Sequence, residues 1–213
     1  MDHASRRTIL AGAFALVAVS PAAASDKLVD PKKVFPYYEA YLKLPAAERS
    51  RFKTTYTFHI GPQPLTAPIW LVEGDKRTQL PLAPDGQVLR LPTLAQLQTA
   101  KLQAGVPEGT KLGCTIGIEP LMRPAAEMDA REVAASLAQA AVGVKKAAGL
   151  MAMAMPKLTQ VSFLGVPFGE VVTADGKRTP LPVLKGAPSF NPSDFPGART
   201  LRFPKAPTKL DMG

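Results

Sequence analysis

The stretch from Asp129 to Pro156, DAREVAASLAQAAVGVKKAAGLMAMAMP, constrains this chain more than any other, because it alone reads as a long helix. Glu132, Ser136, Gln139, Gly143 and Lys146 recur at steps of four and three, which at about 3.6 residues per turn gathers them into one narrow polar line. Val133, Leu137, Ala140, Val144, Ala148, Met151 and Met155 follow another face at the same period. Asp129 is the expected N-cap, with Glu132 three residues on completing a box-like start and the apolar Met128 just ahead. Pro156 is the expected stop, since the residue before a proline is forced out of the α region. A helix over 129–155 is predicted, mostly buried against a sheet, with the polar line as its wet edge.

Two other uses of this stretch are weighed. Lys145 and Lys146 leave no uninterrupted apolar run of about 20 residues, so a membrane span is not expected. Met151, Met153 and Met155 form an MxMxM pattern, and thioether sulfur suits Cu(I). On a helix, however, alternate residues diverge by about 200°, so only Met151 and Met155 share a face. Core filling by flexible side chains accounts for them, and no metal or cofactor is expected.

The first residues carry the anatomy of an export signal: Arg6 and Arg7, the apolar run Ile9 to Val19, and the small-residue site Ala22-Ala23-Ala24. Residues 1–24 are therefore assigned to a cleavable signal peptide, and the mature protein to the periplasm or another exported location. Ser5-Arg6-Arg7-Thr8-Ile9-Leu10 resembles the twin-arginine signal, although Ala11 stands where that signal often has lysine, and the ordinary secretory route stays open. Cleavage removes Arg6, Arg7 and Asp2 and leaves the chain, formally +9 when whole, still strongly basic. Outside the cytoplasm the available anions are lipid headgroups and envelope polymers rather than chromosomal DNA. The pairs Lys32-Lys33, Lys76-Arg77, Lys145-Lys146 and Lys177-Arg178 are dispersed and have no interleaved aromatics, so nucleic acid is not an expected partner.

A hydrophobic share of 46% with 20% charged residues is a globular balance, and 22 scattered prolines point to many short strands and turns. Asp30-Pro31 starts a helical N-terminal arm over 25–53, broken at Leu44-Pro45. Strands are predicted at 54–60, 69–73, 76–82, 87–91 and 111–119, with 93–103 readable as helix or strand. After the helix, strands are expected at 158–166, 170–173 and 177–184, an ordered loop at 187–197, an edge strand at 198–203 and a loose tail beyond Pro204. The fold class is α+β: an antiparallel sheet or sandwich of short strands on one long, largely buried helix, forming one domain over 54–213.

Lys76-Arg77-Thr78-Gln79-Leu80-Pro81-Leu82 and Lys177-Arg178-Thr179-Pro180-Leu181-Pro182-Val183 echo one another, each after a turn and an apolar strand. A duplicated hairpin could bring Lys76, Arg77, Lys177 and Arg178 together around an anion. Independent edge strands reach similar sequences, and one short match does not establish a repeat.

Catalytic motifs are missing. His59 is the one histidine beyond the signal peptide, which excludes a His pair for zinc and any H-E-x-x-H motif, and no glycine-rich phosphate loop occurs. Cys114, the single cysteine, allows no internal disulfide; it lies in a strand-like run and reads as a small buried hydrophobe. The expected function is a non-catalytic envelope protein that binds an apolar or amphiphilic, lipid-like partner between sheet and helix, with Trp70, Met151 and Met155 as contacts. The alternative is a protein-interaction module of envelope assembly without a cavity.

Overall fold

The computed structural model describes residues 28–149 and 157–213, so the stretch expected to be an export signal, Met151 and Met155 lie outside the described residues. It is an α+β fold of four antiparallel sheets of short strands and one long helix, with short helices at the N-terminal end.

In the arm, the Asp30 side chain accepts from Lys32 N and caps α1 (Pro31–Val34), and α2 (Tyr38–Lys43) ends at Leu44 before a single 3-10 turn at Ala46–Arg49. Phe35, Tyr38 and Tyr41 are buried against Tyr56, Phe58 and Phe52 in edge-to-face pairs, so the arm shares the main core.

The strands fall into two similar sets. In the first, β1 (Phe52–Ile60) turns at Gly61 into the two-residue β2 (Gln63–Pro64) and pairs along its length with β6 (Leu112–Pro120). β3 (Ile69–Glu73) lies between β4 (Lys76–Leu80) and β5 (Lys101–Ala104), with Leu71 opposite both Thr78 and Leu102. In the second, β8 (Val161–Leu164) pairs with β14 (Lys209–Met212), and β9 (Glu170–Thr173) lies between β10 (Arg178–Pro180) and β13 (Ala198–Arg202), with Val171 opposite both Thr179 and Leu201.

The connections match too. Leu89 N donates to Pro81 O as Ser189 N donates to Pro182 O, and bridges join Thr57 to Gln87 as Ser162 is joined to Ser189. The helix α3 (Leu94–Thr99), closed by a Thr93–Gln96 capping box, stands where the second set has only the 3-10 turn Pro192–Asp194. The Lys-Arg-Thr echo is thus one part of a repeated arrangement of five strands. The equivalent strands β6 and β14 pack side by side at the junction of the two sets.

The helix α4 (Ala130–Ala148) links the sets, entered from β7 (Glu127–Asp129), which pairs with β13. Asp129 caps it through Arg131 N and Glu132 N, but Glu132 pairs with Arg51 rather than folding back into a box. The helix ends at Ala148, where Gly149 takes φ 54°, short of the predicted Met155. Of its predicted apolar face, Val133, Leu137, Ala140 and Ala148 are buried and Val144 is partly buried, while Met151 and Met155 lie outside the described residues. The polar line is not a wet edge: Ser136 and Gly143 are buried, Gln139 bonds Arg51 N and Ala47 O, and Lys146 meets Glu48, so this line docks the arm. Arg131, Ala138, Val142 and Lys145 face solvent instead.

Other expectations also change. Residues 87–91 form only single bridges, Gln87 with Thr57 and the buried Val88 with Leu82. Pro182 splits the 177–184 strand into β10 and β11 (Val183–Leu184). The 187–197 loop begins as β12 (Ala187–Phe190), all four residues buried, and β13 is an interior rather than an edge strand. The tail is a strand: β14 buries Leu210 and Met212, and the backbone NH groups of Thr159 and Gln160 donate to Gly213 O.

Candidate functional site

Three places on the molecule gather the residue types from which a site can be built. The first is the space between the β1–β6 sheet and α4. Phe52, Tyr56, Ile116, Ile118 and Val144 enclose a nearly wholly apolar cavity of about 30 Å³ there. Thr54, also in its wall, carries a buried hydroxyl oxygen without a hydrogen-bond partner. Drug-sized ligands occupy roughly 300–1,000 Å³, so the enclosed volume suits one or two waters or a single small group. Trp70 is not on this cavity.

The second is a polar cluster where β6 meets β14. Glu119, buried at its carboxylate, receives Lys209 Nζ at 2.8 Å and Lys53 Nζ at 3.1 Å, while Gln87 Nε2 approaches it at 3.3 Å. Burial pushes the Glu119 carboxyl up, but the hydrogen bonds and charges of Lys209 and Lys53 outweigh it and hold the group below its ordinary range. Neighbouring Asp211 is shifted the other way: burial raises it, Lys209 offsets part of that, and the Glu119 charge adds to it. Clefts of about 320 and 230 Å³ open on either side, both touching Lys53. Both lysines are committed to Glu119, which makes the cluster a clasp between the two strand sets.

The third is the solvent face of the β4–β3–β5 sheet. Alternation puts Ile69 and Leu71 into the core and Trp70 and Val72 outward. Gln79 and Gln103 lie in register on either side of Trp70, and Arg77 and Lys101 on either side of Val72. The Arg77 guanidinium lies 4.0 Å over the Trp70 ring. The ring rests on Gly105, where a β-carbon would stand 3.1 Å from it. Of the residues singled out in the sequence, the fold therefore joins Trp70 to Arg77. It sets Lys177 and Arg178 at the edge of another sheet, where Arg178 pairs with Glu170 at 3.4 Å. Lys101 and Gln103 were not recognisable as site residues, because 93–103 carries helix and strand signals at once; the alternation of Lys101, Leu102, Gln103 was the usable clue.

Nucleophile chemistry has little to work with. Burial pushes the Cys114 thiol up to about 11. Cys114 lies opposite Phe58 and His59 opposite Gly113, so alternation turns Cys114 and His59 to opposite faces. His59 bonds Gly61 O through Nδ1 at 2.9 Å. Among the described residues no three His, Cys, Asp or Glu side chains group as metal ligands, and no helix is long and apolar enough to cross a membrane.

No family model, curated protein or solved structure matches this chain.

Proposed function

We propose that the chain is a non-catalytic, exported protein of the cell envelope that acts by binding a partner at its outer surface. The observation that carries this reading is the close packing of α4 on β1 and β6, where the alanines of α4 and the aromatic arm leave only about 30 Å³; the roughly 420 Å³ cleft on the other side of α4, lined by Leu137, Leu158 and Asn191, is open to the surface. The export assignment rests on Arg6-Arg7, the apolar run and the alanine site. The raised Cys114 thiol, turned away from His59, supports a binding rather than a chemical role.

A second reading, capture of an apolar or amphiphilic molecule beneath α4, is favoured by one feature: the unpartnered Thr54 hydroxyl in an otherwise apolar cavity, beside Ala147 and Ala148. Met151 and Met155 belong to this reading as the contacts expected from sequence. Native mass spectrometry of the mature protein, purified from its own envelope and compared with the denatured sample, separates the two. A bare mass, together with an envelope component recovered by cross-linking, is the expected result. Extra mass of a lipid that is lost on denaturation, and lost again in a Met151→Ala, Met155→Ala variant, would replace the first reading by the second.

A further inference from the structure

The two strand sets supply an internal comparison. Position by position, Val72 corresponds to Val172, Arg77 to Arg178, Trp70 to Glu170, Lys101 to Thr200 and Gln103 to Arg202, each by its register with the same neighbours. In the second set the outward face neutralises itself: Arg178 is paired with Glu170, and Arg202 with Glu127 of the adjoining β7 at 3.1 Å. In the first set the position of Glu170 is held by Trp70, and the outward row of the three strands carries two cations and no carboxylate. The equivalent arginine is thus held by a ring instead of by an anion. Its N–H donors keep their capacity for an external oxyanion, and a guanidinium laid on an aromatic ring is ordered in advance for planar, two-point recognition.

From this we infer that the solvent face of the β4–β3–β5 sheet is a docking surface for an acidic polysaccharide, a polymer of hydroxyl-bearing sugar rings with carboxylates. The inference rests on the surface-binding reading above and names its partner. Arg77 and Lys101 flank β3 in one row, two interstrand spacings or about 10 Å apart, which suits successive charges on an extended polymer. Gln79 stands beside Trp70, and an amide with both donors and acceptors matches sugar hydroxyls, while the exposed edge of the indole can meet sugar C–H groups. A bilayer is the poorer fit. Trp70 lies between Arg77 and Gly105 and is only partly exposed, and Val72, the other apolar residue turned outward, is flanked by Arg77 and Lys101, so no large apolar group projects to enter a membrane.

Trp70 is the only tryptophan in the chain, so its fluorescence reports binding at this face directly. The test is titration of the mature, full-length protein with polygalacturonate, with neutral dextran and phosphatidylglycerol vesicles as parallel arms. Polygalacturonate is expected to shift the emission at low salt and dextran to leave it unchanged. Replacing Arg77→Gln and Lys101→Gln together should weaken polygalacturonate binding at least roughly tenfold, the loss for two charged contacts. Lys177→Gln with Arg178→Gln, the equivalent edge of the second set and equal in charge removed, should change it less than about twofold. Equal weakening by both pairs would reduce the effect to net charge and overturn the inference. So would an emission shift with vesicles that the Arg77, Lys101 variant abolishes while polygalacturonate gives none. If polygalacturonate gives no shift but cross-linking at Trp70's face recovers an envelope protein, the glycan falls and the surface-binding reading stands.

Discussion

The phenyl ring of Phe52 fills the space that a side chain at Gly143 would need: a β-carbon there would stand 2.6 Å from Phe52 Cζ, and Phe52 is fully buried. This contact lets Phe52 of β1 pack directly on the backbone of α4 and narrows the cavity between them.

Replacing Gly143→Ala sets two effects against each other. In a helix interior alanine is favoured over glycine by about 1 kcal/mol. Here the added methyl would stand 2.6 Å from a fully buried ring that must shift to admit it, and overpacking of this kind costs about 1–3 kcal/mol. The net expectation is a loss of stability, read as a lower denaturation midpoint in urea at unchanged slope. A variant more stable than the parent would show that the helix can shift away from β1.

The seam between α4 and the arm separates hydrogen bonds from surface ion pairs. Gln139 accepts from Arg51 N at 2.8 Å and donates to Ala47 O at 2.8 Å. Gln139→Ala leaves a part-buried backbone donor without its partner and should cost about 1–2 kcal/mol. Glu48→Gln breaks only the pair with Lys146, which is largely in water, and should cost about 0.5 kcal/mol or less. Equilibrium unfolding of the two variants side by side tests the ranking.

The Glu119 clasp predicts opposite effects of pH at neighbouring carboxyls. Glu119, held below its unfolded value by Lys209 and Lys53 against the opposing effect of burial, contributes stability that is present above that unfolded value and is lost as pH falls through the folded one. Glu119→Gln should cost about 1–2 kcal/mol at neutral pH, a modest figure because both lysines can return to water, and the cost should shrink on acidification. Asp211, raised by burial, contributes in the other sense, with stability present at low pH and lost as pH rises through its folded value. Asp211→Asn is therefore expected to stabilise the protein at neutral pH and to make no difference in acid. Unfolding midpoints for both variants across pH 3 to 8 would show curves that diverge from the parent in opposite directions; parallel curves would remove the assignment.

Beyond Pro204 the chain looks dispensable in sequence but is held in the sheet. Leu210 is buried opposite Phe163. Leu210→Ala should cost about 2–4 kcal/mol, the range for a leucine deleted from a packed interior. Hydrogen exchange should find the Leu210 and Met212 amides protected to nearly the same degree as those of β8. Fast exchange there would mean that the strand frays from β8.

What the residues determined alone was local. The 3.6-residue period and Asp129 were enough for the start and the buried face of α4, Asp30-Pro31 for the arm, and Gly74 and Gly176, both at positive φ, for the two hairpins. These signals lie within a turn or a few residues of the structure they cause. Which strand pairs with which was decided by tertiary structure. β5 and the β12–β14 segments find partners far along the chain, and no local period marks a partner at that distance. The polar line of α4 read as solvent-facing because polarity is the local cue. Its actual neighbour, Arg51, is 88 residues away from Gln139, and only the fold shows that these polar groups are satisfied by another segment instead of by water. The Trp70 face has the same origin. Alternation put Trp70 on one side of β3, but Arg77 and Lys101 came to flank Val72 only once β4 and β5 had paired to either side.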